Sequence, residues 1–216
     1  STKFLYEFMD ICRTMYILGF NTMIVIITGT PGTGKTAVSK LLSKELNCMH
    51  IEVSALVKKR KWGKPDPTGR QTLVLTNIKE LVQYIRETYE NVKCVIIDTH
   101  YPEVFNSLAK DVIAVFVLRT HPKTIVKRLM ERKWSKTKIA ENAEAELLGV
   151  IENEALRHFG CVISIDTTSK NASEVSHLIK TLIDQIDQTT CPKQSETIDW
   201  LTDESAVDAV LSIETG

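Results

Sequence analysis

The sequence has no long hydrophobic run and no excess of charge of either sign, and each absence argues against a class of function. A membrane-spanning helix needs about 18 or more consecutive apolar residues, and polar residues interrupt the fairly apolar stretch at 11–27. Lys plus Arg number 27 and Asp plus Glu number 27, so the formal net charge is zero. A balanced total does not suggest a dedicated nucleic-acid-binding protein. We therefore expect a protein that has no membrane partner.

Paired cysteine motifs are also missing. The cysteines are scattered and odd in number, and none forms a C-x-x-C pair: Cys12, Cys48, Cys94, Cys161 and Cys191. This pattern argues against a disulfide framework and against a zinc site. The N-terminus carries Glu7 and Asp10 and lacks the basic-then-apolar order of a signal peptide. The sequence therefore predicts reduced thiols in a cytoplasmic protein.

Length and composition suit one domain with tails. The chain has 216 residues, of which 43% are hydrophobic and 25% charged, which is ordinary for a globular protein. Residues 1–22 form a predicted N-terminal extension, whose helically spaced apolar residues would pack on the core or on a partner. Residues 23–187 form the predicted domain. Residues 188–216 form an acidic tail with one short helix predicted around 206–213.

Short β-branched apolar runs recur through the predicted domain, and amphipathic helical patterns separate them. Such runs are typical of strands buried on both faces of a parallel sheet. The alternation predicts an α/β fold with a mostly parallel sheet that helices cover on both faces. The predicted strands lie at 23–28, 48–53, 92–97, 112–118 and 162–165.

Several helices and loops follow from local signals. Thr120 is the predicted cap of a helix in which Pro122 occupies an early position, where proline is tolerated. One long helix is predicted from about 137 past Val150. Two prolines and two glycines predict a loop at 62–72.

Residues 29–36 (GTPGTGKT) match the pattern G-x-x-x-x-G-K-[ST] without exception. In a P-loop, successive backbone N–H groups and a helix N-terminus face the phosphates of a nucleotide, and glycine permits the required backbone angles. Lys35 is expected to reach the β- and γ-phosphates of ATP, and the Thr36 hydroxyl is expected to bind Mg²⁺. The alternative is a chance match in a glycine-rich turn, and the flanking strand and helix argue against it.

Asp98 ends a predicted strand, where a second Mg²⁺-binding acid belongs because ligands of open α/β sheets sit at the carboxyl ends of strands. The alternative is an aspartate that only caps a turn. His100 follows two residues later. It would either orient the attacking group or be an inert loop histidine.

Phosphoryl transfer also needs positive charge to offset the charge that develops on the transferred group. Arg119, Arg128 and Arg132 are the candidates. Arg119 ends a predicted strand, whereas Arg128 and Arg132 are four residues apart on one helix. Arg132 begins the irregular segment RKWSK, a natural place for a mobile lid, and a solvated surface position is the simpler prediction for Arg128.

Four stretches resemble the adenylate kinase 6 (CINAP) family, especially its archaeal members. They are residues 28–36 (TGTPGTGKT), 97–100 (IDTH), 117–120 (VLRT) and 128–146 (RLMERKWSKTKIAENAEAE). The last is the most distinctive, since the family pattern there is approximately R-L-x-x-R-G-Y-x-x-x-K-I-x-E-N-x-x-A-E. The resemblance covers roughly residues 23–187.

The resemblance implies a P-loop NTPase fold like that of nucleoside monophosphate kinases, a three-layer sandwich with a five-stranded parallel sheet. It implies a nucleoside-monophosphate-binding region at about 51–75 and a lid at about 131–141. Asp98 and His100 would be the pair tied to Mg²⁺ and hydrolysis, and Arg132 the lid arginine that contacts ATP. The implied phosphate-binding residues are Gly32, Thr33, Gly34, Lys35, Thr36 and Ala37.

Similar proteins combine adenylate kinase and ATPase activity and act in maturation of the small ribosomal subunit. They bind ribosomal protein uS11 near the 3′ end of the rRNA. This implies one hypothesis, an enzyme that moves the γ-phosphoryl group of ATP to AMP, and a second, an ATP-driven assembly factor with little kinase activity. A third hypothesis is a small-molecule P-loop kinase of the shikimate or gluconate type.

The chain departs from the family pattern at three places. The family's R-G-Y reads Arg132-Lys133-Trp134, so loss of the glycine is expected to stiffen the lid, and Trp134 offers another aromatic surface. Ala37 replaces a threonine often found after GKT. The region at 51–75 lacks the family's acidic cluster, and Asp66 and Arg70 are the charged candidates in its loop.

Overall fold

A sheet of five parallel strands carries the fold. The computed structural model describes residues 22–65, 73–89, 92–186, 191–192 and 198–215. The strand order in the sheet is β2-β5-β1-β6-β7, and β3 and β4 form a separate antiparallel hairpin. The strands are β1 (Met23–Gly29), β2 (Met49–Glu52), β3 (Gly63–Pro65), β4 (Leu73–Leu75), β5 (Cys94–Asp98), β6 (Val112–Arg119) and β7 (Val162–Asp166).

Helices connect the parallel strands, and two 3₁₀ segments lie at Pro102–Leu108 and Trp200–Thr202. The α-helices are α1 (Lys35–Glu45), α2 (Val53–Arg60), α3 (Ile78–Tyr89), α4 (Pro122–Glu131), α5 (Lys136–Leu147), α6 (Val150–His158), α7 (Ala172–Ile183) and α8 (Glu204–Thr215).

The core has two halves, one on each face of the sheet, because successive side chains of a strand point to opposite faces. Met23, Val25 and Ile27 of β1 pack with α1 and α7. Ile24 and Ile26 pack with α3 and α6 on the other face. All seven residues of β1 are buried, as its central position requires. The predicted three-layer α/β sandwich with a five-stranded parallel sheet is confirmed.

The register of the central strands brings the predicted site together. Ile27 of β1 is paired with Asp98 at the end of β5, and Gly29 is paired with Leu118 near the end of β6. Since all three strands are parallel, their carboxyl ends meet at one edge of the sheet. The loop after β1 therefore lies beside the residues that follow β5 and β6.

The prediction of reduced thiols is wrong for four of the five cysteines. Disulfides join Cys48 to Cys94 and Cys161 to Cys191. Cys48 directly precedes β2 and Cys94 begins β5, the strand paired with β2. Sheet pairing therefore brings together two thiols that are 46 residues apart in the sequence. Cys12 lies outside the described residues.

Three local predictions are corrected. The cap of α4 is His121, whose side chain accepts a hydrogen bond from the Lys123 amide, because the Thr120 hydroxyl is paired with Thr167. The long helix predicted after the RKWSK segment is two helices, α5 and α6, separated at Gly149, whose φ of 63° breaks the helical path. The hairpin β3–β4 lies at the ends of the predicted loop, whose residues 66–72 are outside the described residues.

The structure tests the prediction for the C-terminal tail but not the one for the N-terminal extension. The helix predicted within residues 1–22 falls almost wholly outside the described residues. In the acidic tail, α8 is present where a short helix was expected. Across the described ranges, no helix has both the length and the apolar character that crossing a bilayer requires.

Candidate functional site

The glycine-rich loop between β1 and α1 has the backbone of a P-loop. Gly29, Gly32 and Gly34 have φ values of 140°, 100° and 95°, which is the region that favours glycine. A Cβ atom on Gly29 would lie 2.3 Å from the carbonyl oxygen of Leu118, so the loop also needs the missing side chain for its approach to β6. The motif thus has the strand, loop and helix context that its sequence predicts.

Lys35 lies within the loop and is only 4% exposed. Its Nζ donates a hydrogen bond of 3.1 Å to the carbonyl oxygen of Thr30. Burial lowers the pKa of Lys35 to about 7, although the nearby Asp98 and Glu146 carboxylates oppose the shift. The loop therefore encloses an ammonium group that lacks full solvation, and an anion at that position would restore its charge.

Thr36 and Asp98 face each other across the edge of the sheet. The Thr36 hydroxyl donates a hydrogen bond of 2.6 Å to Asp98 Oδ2. Burial raises the pKa of Asp98, and the hydrogen bond from Thr36 and the charge of Lys35 counteract that shift. A hydroxyl and a carboxylate are the hard oxygen ligands that Mg²⁺ prefers.

His50, at the second position of β2, adds an observation that fits a hydrated cation. Its Nε2 lies 4.0 Å from Asp98 Oδ2 and is buried without a hydrogen-bond partner among the described residues. Burial lowers the pKa of His50, which favours the neutral ring. An unpaired buried nitrogen is costly, and a water molecule of a hydrated ion at Asp98 would satisfy it.

His100 lies under the loop, as the Asp-x-His spacing predicts. Its Nδ1 is 3.2 Å from the carbonyl oxygen of Gly29. Burial, aided by the charge of Lys35, lowers the pKa of His100 to about 3, so the ring is neutral near pH 7. Because a carbonyl oxygen only accepts, Nδ1 carries the proton and Nε2 is left as an acceptor.

Arg128 and Arg132 border a cavity of about 230 Å³ beside the loop. Arg128 Nη1 donates a hydrogen bond of 2.8 Å to the carbonyl oxygen of Gly32, so Arg128 is attached to the loop and the simpler prediction of a solvated surface position is wrong. Arg132 caps the C-terminus of α4. The remaining lining residues are Gly32, Thr33, Gly34, Val38, Thr167, Lys170, Asn171, Ala172 and Val175.

Arg119 does not belong with these arginines. It is 2% exposed, its Nε donates to Glu146 Oε1 at 2.8 Å, and its Nη1 donates to Glu152. Its charge is thus neutralised inside the protein, which corrects its selection as a candidate for transition-state charge.

Glu146 contacts the loop but was not among the site residues predicted from the sequence. It is 1% exposed, and its Oε2 accepts a hydrogen bond of 2.5 Å from the hydroxyl of Thr30 in the loop. Its Oε1 accepts from Arg119 and from the Thr120 amide. The signal was present, since Glu146 is the last residue of the distinctive stretch at 128–146.

The other predicted residues divide into two groups. Thr33 is buried in the loop, with its hydroxyl 2.9 Å from the carbonyl oxygen of Thr30, and Ala37 lies exposed in the first turn of α1. The structure therefore brings together every predicted site residue of the loop. Asp66 and Arg70 lie outside the described residues.

Comparisons with known proteins place the chain in a family. A family model described as "AAA domain" matches residues 25–149. The chain is 35% identical over 192 residues to a protein of Sulfurisphaera tokodaii named "Putative adenylate kinase", covering 89% of this chain and 93% of that relative. A Pyrococcus furiosus protein of the same name is 40% identical over 161 residues, with 74% and 84% covered. The chain belongs to this archaeal family of P-loop proteins.

Two solved structures with the same fold are a kinase and a nucleotide complex. Shikimate kinase from Acinetobacter baumannii matches with a TM-score of 0.58 at 15% identity, over 76% of this chain and 95% of that one. The YorR protein of Bacillus subtilis in complex with phosphorylated GDP matches with a TM-score of 0.54 at 18% identity, over 74% and 95%. At this identity the likeness shows the P-loop kinase fold and does not indicate the phosphate acceptor. Family and fold together support a phosphotransferase like the nucleoside monophosphate kinases.

Proposed function

We propose that the protein is an ATP- and Mg²⁺-dependent nucleoside monophosphate kinase, which catalyses ATP + AMP = 2 ADP and also hydrolyses ATP. The observation that carries the proposal is the buried Lys35 of a complete P-loop, which interacts electrostatically with Asp98, the acceptor of the 2.6 Å hydrogen bond from Thr36. That arrangement places a cation and two oxygen ligands where the phosphates of a nucleotide enter a P-loop.

The loop and Arg132 would bind the phosphates, and Arg128 would support the loop. Backbone N–H groups from Gly32 to Ala37 face the anion together with the N-terminus of α1. Lys35 contacts the β- and γ-phosphates and regains its full charge there. Arg132 contributes positive charge from the turn after α4, and Arg128 keeps the loop in place through Gly32.

Thr36 and Asp98 would hold Mg²⁺, and His50 would accept a hydrogen bond from a water molecule of its hydration shell. When bound, the ion neutralises charge on the β- and γ-phosphate oxygens. His100 offers its unprotonated Nε2 to the attacking group and orients it. The pKa of about 3 makes His100 an acceptor at neutral pH rather than a proton donor.

Hydrolysis accompanies transfer because the lid is short. Only residues 132–135 separate α4 from α5, and such a turn covers little of a bound nucleotide. Water that reaches the γ-phosphate competes with the acceptor.

AMP is the proposed acceptor because the relatives at 35–40% identity bear an adenylate kinase name, whereas the likeness to shikimate kinase is at 15%. A panel of acceptors tests this. ADP formation from ATP and Mg²⁺ should rise severalfold with AMP or another nucleoside monophosphate and stay at the basal rate with shikimate or gluconate. Lys35→Ala is the control and should lose nearly all turnover. Stimulation by shikimate or gluconate alone would favour the small-molecule kinase.

The proposed cellular role is maturation of the small ribosomal subunit in the cytoplasm, at the 3′ end of its rRNA, with uS11 and the small-subunit rRNA as partners. It rests on the resemblance of residues 97–100 and 128–146 to the adenylate kinase 6 family. Disulfides are rare in most cytosols but common inside cells of hyperthermophilic archaea. A cytoplasmic location is therefore compatible with the two disulfides in a cell of that kind. ATP hydrolysis that uS11 stimulates and AMP does not would favour the assembly factor over the kinase.

A further inference from the structure

The C-terminal segment at 198–215 packs on α4 and α5. These two helices flank the turn at 132–135, which we call the lid turn. It consists of the 3₁₀ turn Trp200–Thr202 and α8, and Asp199 caps the turn by accepting a hydrogen bond from the Leu201 amide at 3.0 Å. Neither the family model, which ends at residue 149, nor the function proposed above gives this segment a role.

Trp200 connects the segment to the P-loop through one shared carboxylate. Its Nε1 donates a hydrogen bond of 3.3 Å to Glu146 Oε1, and Glu146 Oε2 accepts the 2.5 Å hydrogen bond from Thr30 in the loop. Only the Glu146 side chain therefore lies between the Trp200 indole and the loop. A hydrogen bond to a buried carboxylate is stronger than one between neutral groups, so Trp200 adds to the restraint that Arg119 and the Thr120 amide place on the same oxygen.

Two further contacts hold the 3₁₀ turn in place. The Trp200 ring lies edge-on to His121, with ring centroids 5.3 Å apart, and His121 Nε2 lies 3.3 Å from Asp203 Oδ2. His121 is the cap of α4, the helix that carries Arg128 and ends at Arg132. The turn is thus attached to the start of that helix.

The apolar side of α8 packs on both α5 and α4. Ala206 and Val210 are buried in a cluster with Ala143 and Leu147 of α5. Ile213 packs on a second cluster that contains Ile125 and Leu129 of α4 and Trp134 of the lid turn. Both α4 side chains also border the loop, since a Cβ atom on Gly32 would lie 3.3 Å from Ile125 Cδ1 and 3.6 Å from Leu129 Cδ2.

From these contacts we propose that segment 198–215 is a positioning element of the nucleotide site, in which Trp200, together with Arg119 and the Thr120 amide, positions Glu146 and thereby Thr30, while α8 supports the helix that presents Arg128 and Arg132. The role rests on nucleotide binding at the P-loop. Trp200 touches no phosphate and acts only through Glu146. Release of the segment would loosen the loop and the lid arginines together, so ATP affinity and turnover would both fall.

The test uses the full-length chain with Trp200→Phe, which keeps a ring against His121 and removes the indole donor to Glu146. We expect the dissociation constant for ATP-Mg²⁺, measured by calorimetry, to rise about threefold to tenfold, with a fall in kcat as well. The matched control is Leu201→Ala, since Leu201 adjoins Trp200 but is 54% exposed. It should stay within about twofold of the unaltered chain.

A double-mutant cycle tests whether the effect passes through Glu146. Thr30→Val removes the hydroxyl that donates to Glu146 and keeps the shape of the side chain. If Trp200 acts by this route, Trp200→Phe should weaken ATP binding much less in the Thr30→Val background than in the unaltered chain. Fully additive losses would overturn the route and the proposal.

Other outcomes separate a positioning role from a structural one. A lower melting temperature with unchanged ATP affinity and kcat would make Trp200 a structural residue only and would overturn the proposal. Val210→Ala, which weakens the packing of α8 without touching Glu146, gives a second measurement should Trp200→Phe fail to fold. It should also weaken ATP binding, and an unchanged affinity would contradict the role of α8.

The reference for these measurements is ATP binding by the unaltered chain. No binding there would overturn the proposed function itself and this role with it. Binding that is insensitive to Trp200 and Val210 would overturn only the role of the segment.

Discussion

Lys35 is held in the free protein at a cost in stability, because its ammonium group is buried before any phosphate arrives. Its pKa is lowered from 10.5 to about 7, so between these pH values the unfolded chain binds more protons than the folded one. The free energy of unfolding therefore rises with pH across this window. This is the reverse of a lysine that gains a partner on folding.

Lys35→Met should remove that cost and keep most of the side-chain volume. In the absence of nucleotide, we expect the variant to be more stable at pH 7 by about 1 to 3 kcal/mol, to lose part of the pH dependence and to lose the stabilisation by ATP. Thermal unfolding from pH 6 to 10, with and without ATP-Mg²⁺, measures all three. A variant that is less stable than the unaltered chain at pH 7 would contradict the cost of burial.

His100→Ala should lower ATP hydrolysis by about 10-fold to 1,000-fold and leave ATP affinity mostly intact, because the imidazole acts on the reacting group rather than on the bound phosphates. Since the pKa of His100 is about 3, the rate should show no titration of this group between pH 5 and 8. Steady-state rates and calorimetry check both points. His177→Ala, on the exposed side of α7, is the control, and an equal loss of affinity in His100→Ala would contradict the role.

Side chains whose signal is contiguous in the sequence could be predicted, and those defined by distant contacts could not. Lys35 and Thr36 belong to one motif, and Asp98 was found from the strand that it ends. Arg119 has the same position at the end of a strand, but its partners Glu146 and Glu152 are 27 and 33 residues away. Only the fold shows that this arginine is already paired.

At the scale of elements, the turn at 132–135 gives a physical reason for the glycine found at this place in the adenylate kinase 6 pattern that the chain resembles. Lys133 occupies that position with a φ of 58°, in the left-handed region that favours glycine. Lys133→Gly should raise the free energy of unfolding by about 1 kcal/mol. Denaturant unfolding measures this, and Lys127→Gly inside α4 is the control, which should lower stability by a similar amount. A destabilised Lys133→Gly would show that the turn is not strained.

The disulfides are a second prediction at this scale. Intact mass under denaturing, non-reducing conditions should be lower by four hydrogens than after reduction, two for each of the two disulfides. Replacing both Cys48 and Cys94 by serine should cost about 2 to 4 kcal/mol of stability. Equal masses before and after reduction would show free thiols instead.

The predicted boundaries agree closely with the observed ones where hydrophobic periodicity sets them. They agree poorly where tertiary contacts set them. The five strands of the sheet were each predicted within a few residues, because continuous apolar runs are needed in a sheet covered on both faces. The break between α5 and α6 was missed because Gly149 lies inside an otherwise helical pattern. Pairing of Cys161 with Cys191 depends on the position of the tail relative to β7, and no local sequence pattern predicts that position.

At the scale of the whole molecule, the parallel sheet brings the ends of β1, β5 and β6 together at one edge, and the C-terminal segment packs on α4 and α5. On the role proposed above for that segment, the site depends on parts of the chain from Gly29 to Ile213. Family membership and fold support a phosphotransferase of the nucleoside monophosphate kinase type. The acceptor is the part of the account that a single measurement decides.

That measurement is ATP turnover with Mg²⁺, with ATP, ADP, AMP and free phosphate separated, in the presence and absence of AMP. For the proposed kinase, we expect AMP to be consumed and ADP to appear at twice the rate of ATP-only hydrolysis or faster, with two ADP formed for each AMP that is phosphorylated. ADP and free phosphate formed in equal amounts at a rate indifferent to AMP would contradict the kinase and leave an ATPase.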